Sequence, residues 1–215
     1  MKTRSPILYF LSLIIFIFST FTTNPTKCLV TTDSAPNPVL DVEGNELRKG
    51  IDYYVLPAIL GNSGGLTLSS TSNATTACPL DVVQEQHEVD NGLPLTFSPV
   101  NPKKGLIRIS TDANIKFSVA IVCVRSTVWR LDGYDESVGK SFVTAGGIEG
   151  DPGRETVSSW FRIDEYEGDY KLVFCPMVCN VCKVRCGDIG VYMDVHGTRR
   201  LALSDVPLKI MFKKA

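Results

Sequence analysis

Cys175, Cys179, Cys182 and Cys186 fall within twelve residues and form the densest cluster of reactive side chains in the chain. Four thiolates so placed can hold zinc, and Cys179 with Cys182 has the C-x-x-C spacing of a redox pair. The N-terminus turns both readings toward disulfides. Lys2 and Arg4 precede a 12-residue apolar run from Ile7 to Phe18, broken only by Ser12. A spanning helix needs about 20 apolar residues, so residues 1–28 read as a secretory signal. An apolar core helix would instead alternate with polar positions. Thr26-Lys27-Cys28 and Thr20-Phe21-Thr22 both offer small residues at −3 and −1 of a cleavage site, and the first removes Cys28, leaving six of seven cysteines. Thiols made on the secretory route are oxidised. Six cysteines leave many pairings open. Spacing favours Cys175–Cys186 nested around Cys179–Cys182, with Cys78–Cys123 closing a long loop worth roughly 3–4 kcal/mol in the chain-entropy model. No metal and no cofactor is expected.

Other groups that could do chemistry are scattered. Gly61-Asn62-Ser63-Gly64-Gly65 sets a serine in a glycine-rich turn, with Asn62 where the nucleophile segment of a trypsin-like protease carries Asp. Such a triad runs His, Asp, Ser along the chain, yet His87 and His196 both follow Ser63. The segment therefore reads as a hairpin turn. His87 lies in the charged run Gln84 to Glu88 and His196 precedes a glycine, so both read as exposed polar residues. Asp164-Glu165 and Asp135-Glu136 are adjacent on strands or turns, where neighbouring side chains diverge. No phosphate-cradling glycine loop is present. The chain does not read as an enzyme.

The elements that position these residues follow from composition and pattern. The 215 residues are 44% hydrophobic and 21% charged, which excludes disorder and is a prior for one domain. Removing residues 1–28 takes away Lys2, Arg4 and Lys27, so 22 basic residues fall to 19 against 23 acidic. A mildly acidic body without a Lys/Arg run argues against nucleic-acid binding and against a polybasic membrane patch. Strands are expected over 53–58, 66–69, 106–110, 115–124, 158–163, 170–175, 189–195, 200–203 and 208–212. Several of these alternate with period two. Gly, Pro, Asn and Asp mark the gaps, and no helical window exceeds about ten residues. Short strands without helical crossovers predict a closed all-β domain over residues 29–215. Asn73-Ala74-Thr75 in a Ser/Thr loop is an N-glycosylation sequon.

Longer motifs add a resemblance. Val39-Leu40-Asp41, Gly44-Asn45 and Leu47 are followed by Tyr53-Tyr54-Val55-Leu56, and later by Cys78-Pro79-Leu80 with Val82-Val83-Gln84. Ser158 to Ile163, Tyr170 to Pro176, Cys186 to Gly190 and Arg199 to Leu203 complete the series. In that order they resemble plant Kunitz-type (soybean-trypsin-inhibitor-like) protease inhibitors across residues 33–215. Ser34 to Asp41, Ser126 to Asp132 and the cysteine cluster look most like the miraculin-like branch. The resemblance implies a β-trefoil of twelve strands in three units around a six-stranded barrel, and the same three disulfides. The branch's intermolecular cysteine has no counterpart in Asp164 to Gly168, so a monomer is expected.

What the resemblance implies for function is a secreted inhibitor, in the apoplast or the vacuole. Its partner would be an endopeptidase, trypsin-like by preference and a cysteine protease as the alternative. The family's protease-binding loop falls on Ser98 to Gly105, which names Asn101, Pro102, Lys103, Lys104 and Gly105 as the reactive loop, with Lys103 favoured for the specificity pocket. Pro99 and Pro102 are expected to keep this loop extended. Counted without gaps from Asp41, Lys49 takes the place of the family's loop-bracing Asn, and a lysine has no acceptor to cross-brace with. The rival readings are a storage or stress protein and a ligand- or carbohydrate-binding trefoil, the latter wanting exposed aromatics in every unit. Trp129 and Trp160 are the only tryptophans, and Trp160 reads as core.

Overall fold

Alternation of inward and outward side chains is clearest in two of the strands. In the computed structural model, which describes residues 35–59, 61, 63–70, 80–122 and 125–215, β1 (Tyr53–Pro57) and β4 (Leu95–Pro99) bury every second residue. The remaining strands are β2 (Leu66–Ser69), β3 (Asp81–Gln84), β5 (Ala113–Phe117), β6 (Trp129–Asp135), β7 (Lys140–Ala145), β8 (Arg162–Tyr166), β9 (Asp169–Phe174), β10 (Gly187–Met193), β11 (Arg199–Ser204) and β12 (Ile210–Lys214). One short 3-10 helix, Arg154–Ser159, precedes β8. Residues 1–28, expected to be a secretory signal, lie outside the described residues, as do Asn73, Cys78 and Cys123.

The pairings divide the strands into two sets. β12 pairs with β1, β1 with β4, β4 with β5, β8 with β9 and β9 with β12, all antiparallel. A bridge between Ala113 and Phe161, beside the start of β8, joins β5 to β8 and closes the ring. The other six strands form the hairpins β2–β3, β6–β7 and β10–β11. Each hairpin touches the other two, through β3–β7, β3–β11 and β7–β11. A six-stranded ring capped by three mutually paired hairpins is a β-trefoil, and Pro36–Ala215 forms one compact unit. Closure leaves the barrel no free sheet edge.

Aromatic rings meet inside a core built otherwise of Val, Leu and Ile. Phe97 meets Phe212 edge-on at 5.6 Å between ring centroids, Phe212 meets Tyr170 at 5.6 Å, and Trp129 meets Phe161 at 6.1 Å. Trp129 and Trp160 are both buried, and the Trp160 indole N–H donates to Thr156 Oγ1 at 3.1 Å. Burial of both tryptophans leaves the carbohydrate reading without the exposed indoles it would use.

Three expected strands differ. Residues 106–110 alternate like a strand, but Leu106 and Arg108 make only isolated bridges, to Arg48 and Pro38. Their partner is the irregular N-terminal segment, which offers no continuous ladder. The strand expected at 115–124 is Ala113–Phe117, and it stops where Ser118 N donates to Pro94 O and the chain bends. Ser158 and Ser159 belong to the 3-10 helix, so the strand expected at 158–163 begins at Arg162.

Candidate reactive loop

The expected loop leaves the barrel at the end of β4. Ser98 and Pro99, read from sequence as its first residues, are instead the last rungs of that strand, opposite Asn114 and Ala113. The excursion begins at Val100, whose N–H donates to Asp112 O at 2.8 Å. Asn101, Pro102, Lys103 and Lys104 are all exposed. Lys104 N donates to Asn101 O at 3.2 Å, which closes a four-residue turn. Lys103 N donates to the Asn101 side-chain Oδ1 at 3.3 Å, so the asparagine caps its own turn. Pro102 takes the second position, where its fixed φ suits a turn. The loop at Pro102 is therefore turned rather than extended, because the Asn101 carbonyl and side chain both capture amides ahead of them. Gly105 follows with φ of 63°, a left-handed conformation that a Cβ would strain.

The leaving end is tied as firmly as the entering one. Lys49 N donates to Gly105 O at 2.8 Å, Ile107 N to Leu47 O at 3.0 Å, and Val39 N to Ile107 O at 2.9 Å. Val39, Leu47 and Ile107 are all buried and belong to the hydrophobic core, so the loop's leaving end is rooted in the core itself. Lys49 thus meets the loop through its main chain, and its side chain is exposed.

Two carboxylates that sequence reasoning did not single out sit at the loop's roots. Asp112 is buried and accepts from Met177 N at 2.7 Å through Oδ2, joining the loop's base to the cysteine segment. Burial pushes its carboxyl above the ordinary value, against the Met177 amide and the Arg162 charge. Glu149 accepts from Ser98 Oγ at 2.6 Å and from Lys116 Nζ at 2.8 Å. Burial works to raise it, but the Lys116 and Ser98 hydrogen bonds and the Lys116 and Lys49 charges outweigh burial and hold it below the ordinary value. Neither residue carries a motif, since their partners are remote in sequence.

The structure places the other candidates apart from this loop. Cys175 is bonded to Cys186 and Cys179 to Cys182, so these sulfurs serve as crosslinks and not as zinc ligands. Ser63 is buried. Gly64 N and Gly65 N donate to Glu85 O and Asp90 O, each at 2.8 Å. A Cβ on Gly64 or Gly65 would run into main-chain oxygens of Asp90 or Asn91. Close backbone packing, not catalysis, explains that run of glycines. His87 and His196 are exposed, and Asp164 and Glu165 face different partners across β8, Lys171 and Tyr170.

A six-stranded ring under three mutually paired hairpins places the protein in the β-trefoil class. The family model described as "Trypsin and protease inhibitor", the legume Kunitz family, matches residues 39–214, and the chain belongs to that family. It is 57% identical over 187 residues to miraculin from Synsepalum dulcificum, covering 85% of each chain. It is 50% identical over 186 residues to Kunitz trypsin inhibitor 5 from Arabidopsis thaliana, covering 86% of this chain and 90% of that one. Among solved structures, soybean trypsin inhibitor in its complex with porcine pancreatic trypsin is 33% identical with a TM-score of 0.66, over 83% of this chain and 99% of that one. Among the described residues, no helix is long and apolar enough to cross a membrane.

Proposed function

We propose that the mature chain is a secreted, monomeric protease inhibitor without catalytic activity of its own, presenting residues 101–105 to a trypsin-like serine endopeptidase. The observation that carries this reading is a loop exposed at all four turn residues and tied at both roots by main-chain bonds. A lysine side chain complements the buried Asp of a trypsin-like specificity pocket. Lys103 is the better placed of the two, because its amide is the one that the Asn101 side chain holds. After cleavage of the bond following Lys103, the new ends would stay anchored at Val100 and Gly105, which keeps them close enough to rejoin. Pre-ordering of this kind lowers the entropy cost of binding. The closed turn works in the other direction, since a protease cleft takes an extended segment and the Asn101–Lys104 bond must open first.

The test is titration of purified protein against trypsin, chymotrypsin and papain, with Lys103→Ala and Lys104→Ala beside the parent. Truncating the pocket-filling lysine should cost at least about 2 kcal/mol of trypsin affinity, the scale of an interface hot spot. Parent affinity no better than about millimolar, or no loss in either variant, would move the assignment to a storage or stress protein. Stronger inhibition of papain than of trypsin would replace the serine protease with a cysteine protease.

A further inference from the structure

We propose that a cavity between the β6–β7 turn and the ends of β10 and β11 binds a tetrahedral oxyanion, a sulfate or phosphate group free in solution or carried on a small ligand. The cavity measures about 130 Å³, and its lining includes Lys140 at the start of β7, Arg185 just ahead of β10, Ser141 and Ser204. Drug-sized ligands need roughly 300 Å³ or more, so this recess suits a single functional group. Lys140 and Arg185 form no ion pair among the described residues. Asp135 stands opposite Lys140 in the ladder, but its carboxylate accepts from Ser137 N at 2.9 Å and from Ser137 Oγ at 2.6 Å. Asp205, the carboxylate in the lining, is exposed and pairs with neither cation. Two unpaired cations therefore share one small recess.

A buried hydroxyl points the same way. Ser141 is buried, lines the cavity, and finds no hydrogen-bond partner among the described residues. A polar group out of bulk water costs stability unless something bonds to it, and the occupant of the cavity can do so. Ser204 Oγ accepts from Val206 N at 3.1 Å, which leaves its O–H free to donate. The recess thus offers a guanidinium fork, an ammonium and two hydroxyls. All are donors, and three or four converging donors with positive charge are what a tetrahedral oxyanion takes. The guanidinium is placed before any ligand arrives. Arg185 lies over the Tyr134 ring at 5.6 Å, and it precedes Cys186, whose bond to Cys175 ties the main chain there to the end of β9. None of these residues belongs to the 98–112 segment, so the site stands apart from the inhibitor assignment.

Amide chemical shifts of the mature protein, titrated with sodium sulfate, sodium phosphate and sodium acetate at fixed ionic strength, test this. Sulfate, phosphate or both should move the amides of residues 139–141, 185–187 and 203–205 saturably, with half-saturation at about millimolar or below. Lys140→Gln should weaken that binding about tenfold, the scale of one charge-assisted hydrogen bond. Ser141→Ala should weaken it by a smaller factor, and Asp205→Asn should tighten it. Saturation by sulfate alone identifies a sulfate group as the ligand and by phosphate alone a phosphate group, and either result upholds the site. Acetate binding as tightly as the tetrahedral ions would overturn the assignment in favour of a carboxylate. Shifts that never saturate, that spread over other charged surfaces, or that persist unchanged in Lys140→Gln would overturn the site itself. Lys140 is half-buried and Asp205 exposed, so their variants decide the matter even if Ser141→Ala folds poorly.

Discussion

The barrel contains two hairpins that do the same structural work with very different connections. β8 and β9 pair from Arg162–Val173 to Tyr166–Asp169 and are joined by Glu167 and Gly168 alone, with φ of 50° and 88°. Two consecutive left-handed residues match the twist of the flanking strands. β4 and β5 pair from Leu95–Phe117 to Pro99–Ala113, an equally long ladder, yet residues 100–112 lie between them. The ladder needs no more than a two-residue link, so the extra chain is surplus to barrel closure. It is anchored by Ile107, which joins Val39 and Leu47 in the same apolar core as Phe97 and Phe212, and by main-chain bonds to the N-terminal segment. A connection that the barrel does not require is one that can be shaped for a partner.

The largest effect expected from breaking this comparison comes from the part both hairpins share. Phe97→Ala, in β4 and fully buried against Phe212 and Tyr53, should lower the unfolding free energy by about 3–5 kcal/mol in urea titrations. Loop order and inhibition should fall with it. Gly168→Ala tests the short hairpin alone. A Cβ at its positive φ should cost about 1 kcal/mol of stability and leave trypsin inhibition unchanged. Lost inhibition in that variant would show that the two hairpins are coupled.

The smallest effect is an acid titration of the long loop's root. Glu149 is held below its ordinary value of 4.5 in the folded state. The unfolded chain therefore takes up its proton first as pH falls, and the stability Glu149 supplies is present above 4.5 and lost as pH drops through the lower folded value. The group is more than a third exposed, so the contribution is at most about 0.5 kcal/mol. Asp112 runs the other way. Its folded value is raised, so the native state binds that proton first and stability falls as pH rises through the raised value. The difference in stability between the parent and Glu149→Gln, followed from pH 6 to pH 3, isolates the Glu149 limb. A difference that stays flat across that range would remove Glu149 from the loop's electrostatics.

Parts of this architecture were legible in the chain and parts were not, for reasons that particular residues make plain. Residues 53–57 bury every second side chain, as a strand with one face on the core should. The alternation at 191–195 also marked a strand, although β10 runs Gly187–Met193 and buries only the adjacent Ile189 and Gly190. β3, β4, β6 and β7 were not among the expected strands. β3 buries all four of its residues and β6 shifts register between Leu131 and Tyr134, so neither keeps a period of two. Residues 106–110 carry a strand's pattern without a strand's ladder, since Ile107 is buried by an irregular neighbour. At the candidate site, Lys103 and Lys104 stood out by charge, Pro102 suggested an extended chain where Asn101 makes a turn, and Glu149 gave no signal at all.

By itself the sequence determined the all-β class and the family, because period-two burial, turn-forming residues and ordered motifs are written locally, in neighbours a few positions apart. Only the tertiary structure decided how the ring closes and what lies beneath the loop. Tyr53 pairs with Lys214, and Ser98 meets Glu149 fifty-one positions away. Such contacts follow from the register of a closed barrel, which every strand sets jointly and no single segment encodes.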